Sequence, residues 1–107
     1  MTIIIHRESK KTTASKERIW EIWSKVEQWP TWDDELEWVR IDGDFKKGQT
    51  GRLKPKDGPV ANFKITHYKP FQEFTDTAKL PCATLAFHHQ VLEENNQRIV
   101  IHTISIN

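Results

Sequence analysis

Cysteine is nearly absent from this chain: Cys82 is the only one, so no intrachain disulfide can form, and neither a four-cysteine nor a mixed Cys/His structural zinc site can be built. Cys82 itself reads as a small packed residue rather than a reactive thiol, because no base or helix terminus lies near it in sequence. Long apolar runs are missing too. None approaches the roughly 20 residues that span a bilayer. The opening Ile3-Ile4-Ile5 is too short for a signal-peptide apolar region and runs into His6-Arg7-Glu8. These absences predict no membrane insertion and a cytoplasmic location. Net charge is small, +1, and calls for no polyanionic partner. No Gly-rich phosphate loop, nucleophile elbow or metal-ligand motif occurs, so no cofactor and no metal are expected. The 107 residues hold no repeat, low-complexity tract or linker, and their number suits one domain, residues 1–107.

Tryptophan is abundant but confined. All five (Trp20, Trp23, Trp29, Trp32, Trp38) fall in one short stretch. Each brings a large apolar surface and one N–H that needs a partner, so packing is concentrated there.

The β-branched residues of 2–13, free of Gly and Pro, predict a first strand. Ser15 is a candidate N-cap, followed by Ile19, Ile22, Trp23 and Val26 at the i, i+3, i+4, i+7 spacing of one buried helix face. The Trp29-Pro30 step should end that helix near Gln28, and Thr31 can cap a second short helix through Asp33 and Asp34. Strand signals then follow at Leu36 to Ile41, Gln49 to Lys54, Phe63 to Lys69, Glu73 to Leu80, Ala83 to Glu93 and Arg98 to Ile106, with turn residues between them, including Asn95-Asn96. Short connections imply an antiparallel meander, and a sheet this long must curl and be covered on one face.

Several segments, in this order, resemble a known superfamily. Ala14-Ser15-Lys16-Glu17-Arg18-Ile19-Trp20 resembles the "A-S-x-E-x-V-W" opening of START-like (SRPBCC, Bet v 1-like) proteins, in particular the polyketide cyclase/dehydrase and lipid-transport branch. Trp29-Pro30-Thr31-Trp32-Asp33 resembles the "W-P-x-W-D" that follows there, and Gly43 to Gly51 the "G-x-F-x-x-G-x-x-G" entry to the next hairpin. Phe63-Lys64-Ile65-Thr66 and Phe74-Thr75-Asp76 fit the later strands. The resemblance implies an α+β helix-grip fold, in which a curved antiparallel sheet with two short N-terminal helices wraps a long C-terminal helix around an apolar cavity. Only Asn107 follows Ile106, so that long helix is missing. A C-terminally truncated domain, or a homodimer covering the open sheet face, would account for this.

The implied cavity would be lined by Trp29, Trp38, Leu53, Phe63, Ile65, His67, Phe74 and Asp76. The tryptophans have a second reading, a clamp that locks the helices to the sheet; Trp38, by alternation with Leu36, is expected to face the cavity. His88 and His89 are adjacent on a strand and must point to opposite faces, so they cannot chelate one ion together. By alternation with Phe63 and Ile65, His67 is expected inward. His67, Asp76, His88 and His89 are the candidates for acid/base work. If Asp76 is interior it needs a partner such as Arg52, or a raised pKa. The basic stretch Lys46, Lys47, Arg52, Lys54, Lys56 lacks interleaved aromatics and reads as a solvated hairpin, not a nucleic-acid surface. What the resemblance implies is binding or transport of a hydrophobic small molecule or lipid. A polyketide cyclase or dehydrase and a co-chaperone-like protein-binding module are the alternatives.

Overall fold

The structure, a computed structural model, describes residues 2–107. Strand β1 (Ile3–Thr12) leads to helix α1 (Lys16–Ser24), a 3-10 helix (Val26–Thr31), and strands β2 (Leu36–Ile41), β3 (Thr50–Pro55), β4 (Ala61–Lys69), β5 (Glu73–Leu80), β6 (Ala83–Glu94) and β7 (Gln97–Ile106). The strands form one seven-stranded antiparallel sheet in the order β1-β7-β6-β5-β4-β3-β2. This is the expected curled sheet with two short helices, and β7 is the last element among the described residues.

Ser15 caps α1 as its type predicts, its Oγ accepting from the Arg18 N–H at 3.1 Å. The helix ends earlier than the hydrophobic spacing suggests, at Ser24 rather than near Gln28. The cause is local. The indole N–H of Trp29 donates to the Trp23 carbonyl at 2.9 Å, satisfying one of the carbonyls that a helix end leaves open. The chain therefore folds back beneath α1 as a 3-10 helix that contains Pro30. Thr31 closes this second helix instead of opening one.

The core forms where α1 and the 3-10 helix meet the inner face of β2 to β6. Trp20, Trp23, Val26 and Trp29 pack with Val39, Leu53, Phe63, Ile65, Phe74, Ala78 and Val91. Gly51 is required here. A Cβ on it would lie 2.5 Å from the Phe63 ring and 2.3 Å from the Arg40 carbonyl, so only glycine lets that ring cross the strand. The hairpin between β6 and β7 turns on Asn95 and Asn96 at φ 49° and 64°, the left-handed pair of a two-residue turn. Cys82 lies exposed in the turn between β5 and β6, not packed as its residue type suggests.

Three register shifts interrupt the sheet, between Ile4 and His6, Leu36 and Trp38, and Ile65 and His67. Each breaks the inward/outward alternation on which a strand reading depends.

Candidate functional site

The interior of the grip has two unlike compartments. In the first, Trp29, Leu53, Phe63, Ile65, Phe74 and Asp76 do come together, as expected for cavity walls, but they are packed on one another. Their exposures run from 0 % for Ile65 and Phe74 to 6 % for Leu53. Phe74 meets Trp20, Trp23, Trp29 and Phe45 within 6.1 Å, mostly edge to face, the arrangement aromatic quadrupoles favour. The clamp reading of Trp20, Trp23 and Trp29 fits this packing.

The second compartment is an open cleft of about 530 Å³ on the other half of the sheet. Its helix wall is Ile19, Ile22 and Trp23, with Trp32 beyond; its sheet wall is His89, Val100 and His102, with Glu8, Lys10 and Thr12 of β1 at the rim. None of the six packed residues borders it. Arg98 ties its end: the guanidinium donates to the Ala14 carbonyl at 2.6 Å and to that of Thr13, holding the β1–α1 connection onto β7.

Two expected lining residues lie elsewhere. Because of the shift between Leu36 and Trp38, Val39 points into the core while Trp38 sits half-buried on the outer face, with the Arg40 guanidinium 5.5 Å over its ring. The shift between Ile65 and His67 likewise turns His67 outward, leaving Thr66 and His67 both exposed and Tyr68 facing in. On the outer face His67 Nε2 donates to Glu73 Oε1 at 2.7 Å, and His88 Nδ1 lies 2.6 Å from Thr75 Oγ1. Chiefly through the His67 hydrogen bond, the Glu73 carboxyl is held below its ordinary pKa. Burial draws the His88 pKa down against the opposing charge of Glu73. Among the described residues no three His, Cys, Asp or Glu side chains are arranged to hold a metal ion.

His89, from the same adjacent pair, faces in. Its ring stacks on Phe74 at 4.3 Å and 5° and on His102 at 4.3 Å and 22°, so Phe74, His89 and His102 make a column of rings across β5, β6 and β7. Burial keeps both imidazoles below their ordinary pKa, His89 well below. Asp76 is interior and 2 % exposed. Arg52 cannot serve it, since Gly51 and Leu53 are the buried residues of β3 and Arg52 points out. With Oδ1 unpartnered in the protein, burial pushes the Asp76 pKa up to about 8, helped by the negative charge of Asp33. At neutral pH Asp76 is mostly a neutral acid.

His102, Glu8 and Arg98 were not singled out from the sequence as site residues, and Trp23 and Trp32 were read as clamp rather than cleft wall. One signal existed for His102. Counting back from the two-residue turn at Asn95-Asn96 brings His102 opposite His89. Nothing comparable marks Arg98, whose partners lie at separations of 84 and 85 residues.

No protein-family model matches this sequence, and comparison with curated proteins gives no match either. Solved structures do match. The ginseng major latex-like protein 151 from Panax ginseng superposes with a TM-score of 0.78 at 14 % identity, over 99 % of this chain and 79 % of its own. Norcoclaurine synthase from Thalictrum flavum does so at 0.74 and 14 %, over 99 % and 69 %. CalU16 from Micromonospora echinospora gives 0.65 and 12 %, over 98 % and 70 %. At such identities the likeness is one of fold. No helix among the described residues is long and apolar enough to cross a membrane.

Proposed function

We propose that this chain, which has the Bet v 1-like helix-grip fold, binds a hydrophobic small molecule in the cleft between α1 and the β6-β7-β1 side of the sheet. One observation carries the reading: an open space of about 530 Å³ with apolar walls at Ile19, Ile22, Trp23, Trp32 and Val100, the imidazoles of His89 and His102 on the sheet side, and Glu8, Lys10, Lys11 and Thr12 along its β1 rim. Small-molecule sites commonly fall in the range of about 300–1,000 Å³ and combine apolar walls with placed polar groups. The packed compartment serves as the rigid back of the site and not as its lumen. The test is titration with naphthalene and with palmitate, followed by tryptophan emission and by native mass spectrometry. A saturable emission change that Trp32→Ala weakens supports the site; no change and no retained ligand mass for either compound would sink it.

A second reading has its own observation. Asp76, neutral at pH 7 and unpartnered at Oδ1, is poised as a proton donor of the kind a cyclase or dehydrase employs. In that reading His89, which lines the cleft, is the group that touches the substrate, Asp76 lies behind it and is reached only if the packed rings part, and His67 and His88, on the outer face, take no part. If Asp76→Asn left turnover of a confirmed substrate unchanged across pH 6 to 9, that role would be wrong.

A further inference from the structure

Two nitrogens in the cleft residues have nothing in the protein to bond. His89 Nδ1 and His102 Nε2 are both shut away from solvent without a hydrogen-bond partner in the chain, and His89 as a whole is 5 % exposed. Buried polar atoms are seldom left so. Both rings border the same cleft, stacked 4.3 Å apart. Since burial keeps the two imidazoles neutral, each ring carries one N–H and one bare nitrogen. A hydroxyl suits either nitrogen, because it both donates and accepts.

A carboxylate suits them less. It can only accept, so it leaves a bare imidazole nitrogen unmet; charge does not decide against it, because Glu8 shares the cleft rim with Lys10 and Lys11. The remaining walls favour a flat ring. Trp23 and Trp32 both present themselves to His89 at steep angles, 68° and 85°, with centroids 5.6 and 6.4 Å away. Trp32, 38 % exposed, is the outer wall.

We infer that the ligand of this cleft is an uncharged aromatic alcohol, its ring lying against Trp23 and Trp32 and its hydroxyl bonded to the paired imidazoles of His89 and His102. The inference rests on the proposed binding of apolar molecules in the cleft and narrows their class. It departs from a fatty acid, whose carboxylate has no proton to give a bare nitrogen, and from a plain hydrocarbon, which would leave both nitrogens unsatisfied.

The test compares naphthalene, 2-naphthol and 2-naphthoate at pH 7, following the indole N–H signals by two-dimensional NMR. 2-Naphthol should bind about five- to tenfold more tightly than naphthalene, the worth of one net hydrogen bond, and more tightly than 2-naphthoate. His89→Phe and His102→Phe keep a ring in the stack but remove its nitrogens. At least one of them should bring the ratio of 2-naphthol to naphthalene affinity down to about one, whatever it does to the affinity for naphthalene itself. Equal affinity of the wild-type protein for naphthalene and 2-naphthol, or a preference that survives both substitutions, overturns the inference and leaves the proposed cleft standing. Failure of all three compounds to bind overturns both. The wild-type comparison needs no variant, so a misfolded substitution does not rescue the idea.

Discussion

The two edges of this sheet face opposite fates. At one edge β2 carries Val39, 1 % exposed, because the 3-10 helix packs directly on that strand. At the other, β1 is exposed along nearly its whole length, with Ile3, Ile4 and Ile5 between 53 and 58 % open. Burial fades across the strands between them. Ile65 of β4 and Phe74 of β5 are fully enclosed and His89 of β6 nearly so, whereas His102 of β7 is half-buried and Glu8 of β1 is exposed. The difference is one of cover, not of strand quality: β1 pairs with β7 over nine residue positions. Two short helices bearing three packed tryptophans are enough to close one half of a curled sheet, and the half they do not reach keeps the cleft. The packed core and the proposed binding cleft thereby lie on different halves of the sheet, and that separation can be broken or sharpened by experiment.

The largest effect should come from the closed half. Phe74→Ala removes the ring on which Trp20, Trp23, Trp29 and His89 converge and should cost about 3–5 kcal/mol in urea unfolding. A loss below about 1 kcal/mol would mean that the aromatic cluster is not the keystone of the fold. Next is a pH effect at Asp76. Its pKa rises from the ordinary 3.8 to about 8 on folding, so the folded state holds the proton more tightly than the unfolded one. The stabilisation is complete below about pH 4 and is lost as pH climbs towards 8, at up to about 1.4 kcal/mol per pH unit. His89 runs the other way, since a depressed folded pKa withdraws stability as pH falls below its ordinary 6.5. Asp76→Asn should therefore gain on the wild-type protein between pH 5.5 and 8, read as the shift between their urea midpoints. Parallel pH profiles would show that Asp76 finds a charged partner after all.

Trp29→Phe keeps a ring but removes the N–H that bonds the Trp23 carbonyl, leaving a buried acceptor unmet. A loss of about 1–3 kcal/mol is expected in thermal or urea unfolding. Smaller still, Val100→Ala in the cleft wall should cost about 1 kcal/mol yet loosen the binding of naphthalene, separating stability from ligand affinity. Ile4→Ser, at the bare edge, should stay within about 0.5 kcal/mol of the wild-type protein. A cost well above that would show that β1 is covered in solution, by a second copy or another partner, and size-exclusion chromatography would then distinguish the two.

The order of strands and helices, the Ser15 cap and the Asn95-Asn96 turn were legible in the residues themselves. Each depends on periodicity or turn chemistry within a few neighbours. The face on which Asp76 lies was left open. The same alternation misplaced Trp38 and His67, because the register shifts just before them leave no mark in composition. A shift is a property of how two strands pair, and one residue of slip moves every later side chain to the opposite face. The site divides along the same line. The sequence could nominate His89 and, through the hairpin count, His102. Only the tertiary structure decided that Trp29, Leu53, Phe63, Ile65, Phe74 and Asp76 close on each other while the space opens beside Trp23 and Trp32, since the angle at which α1 and the 3-10 helix settle on the sheet is set by contacts between residues far apart in the chain.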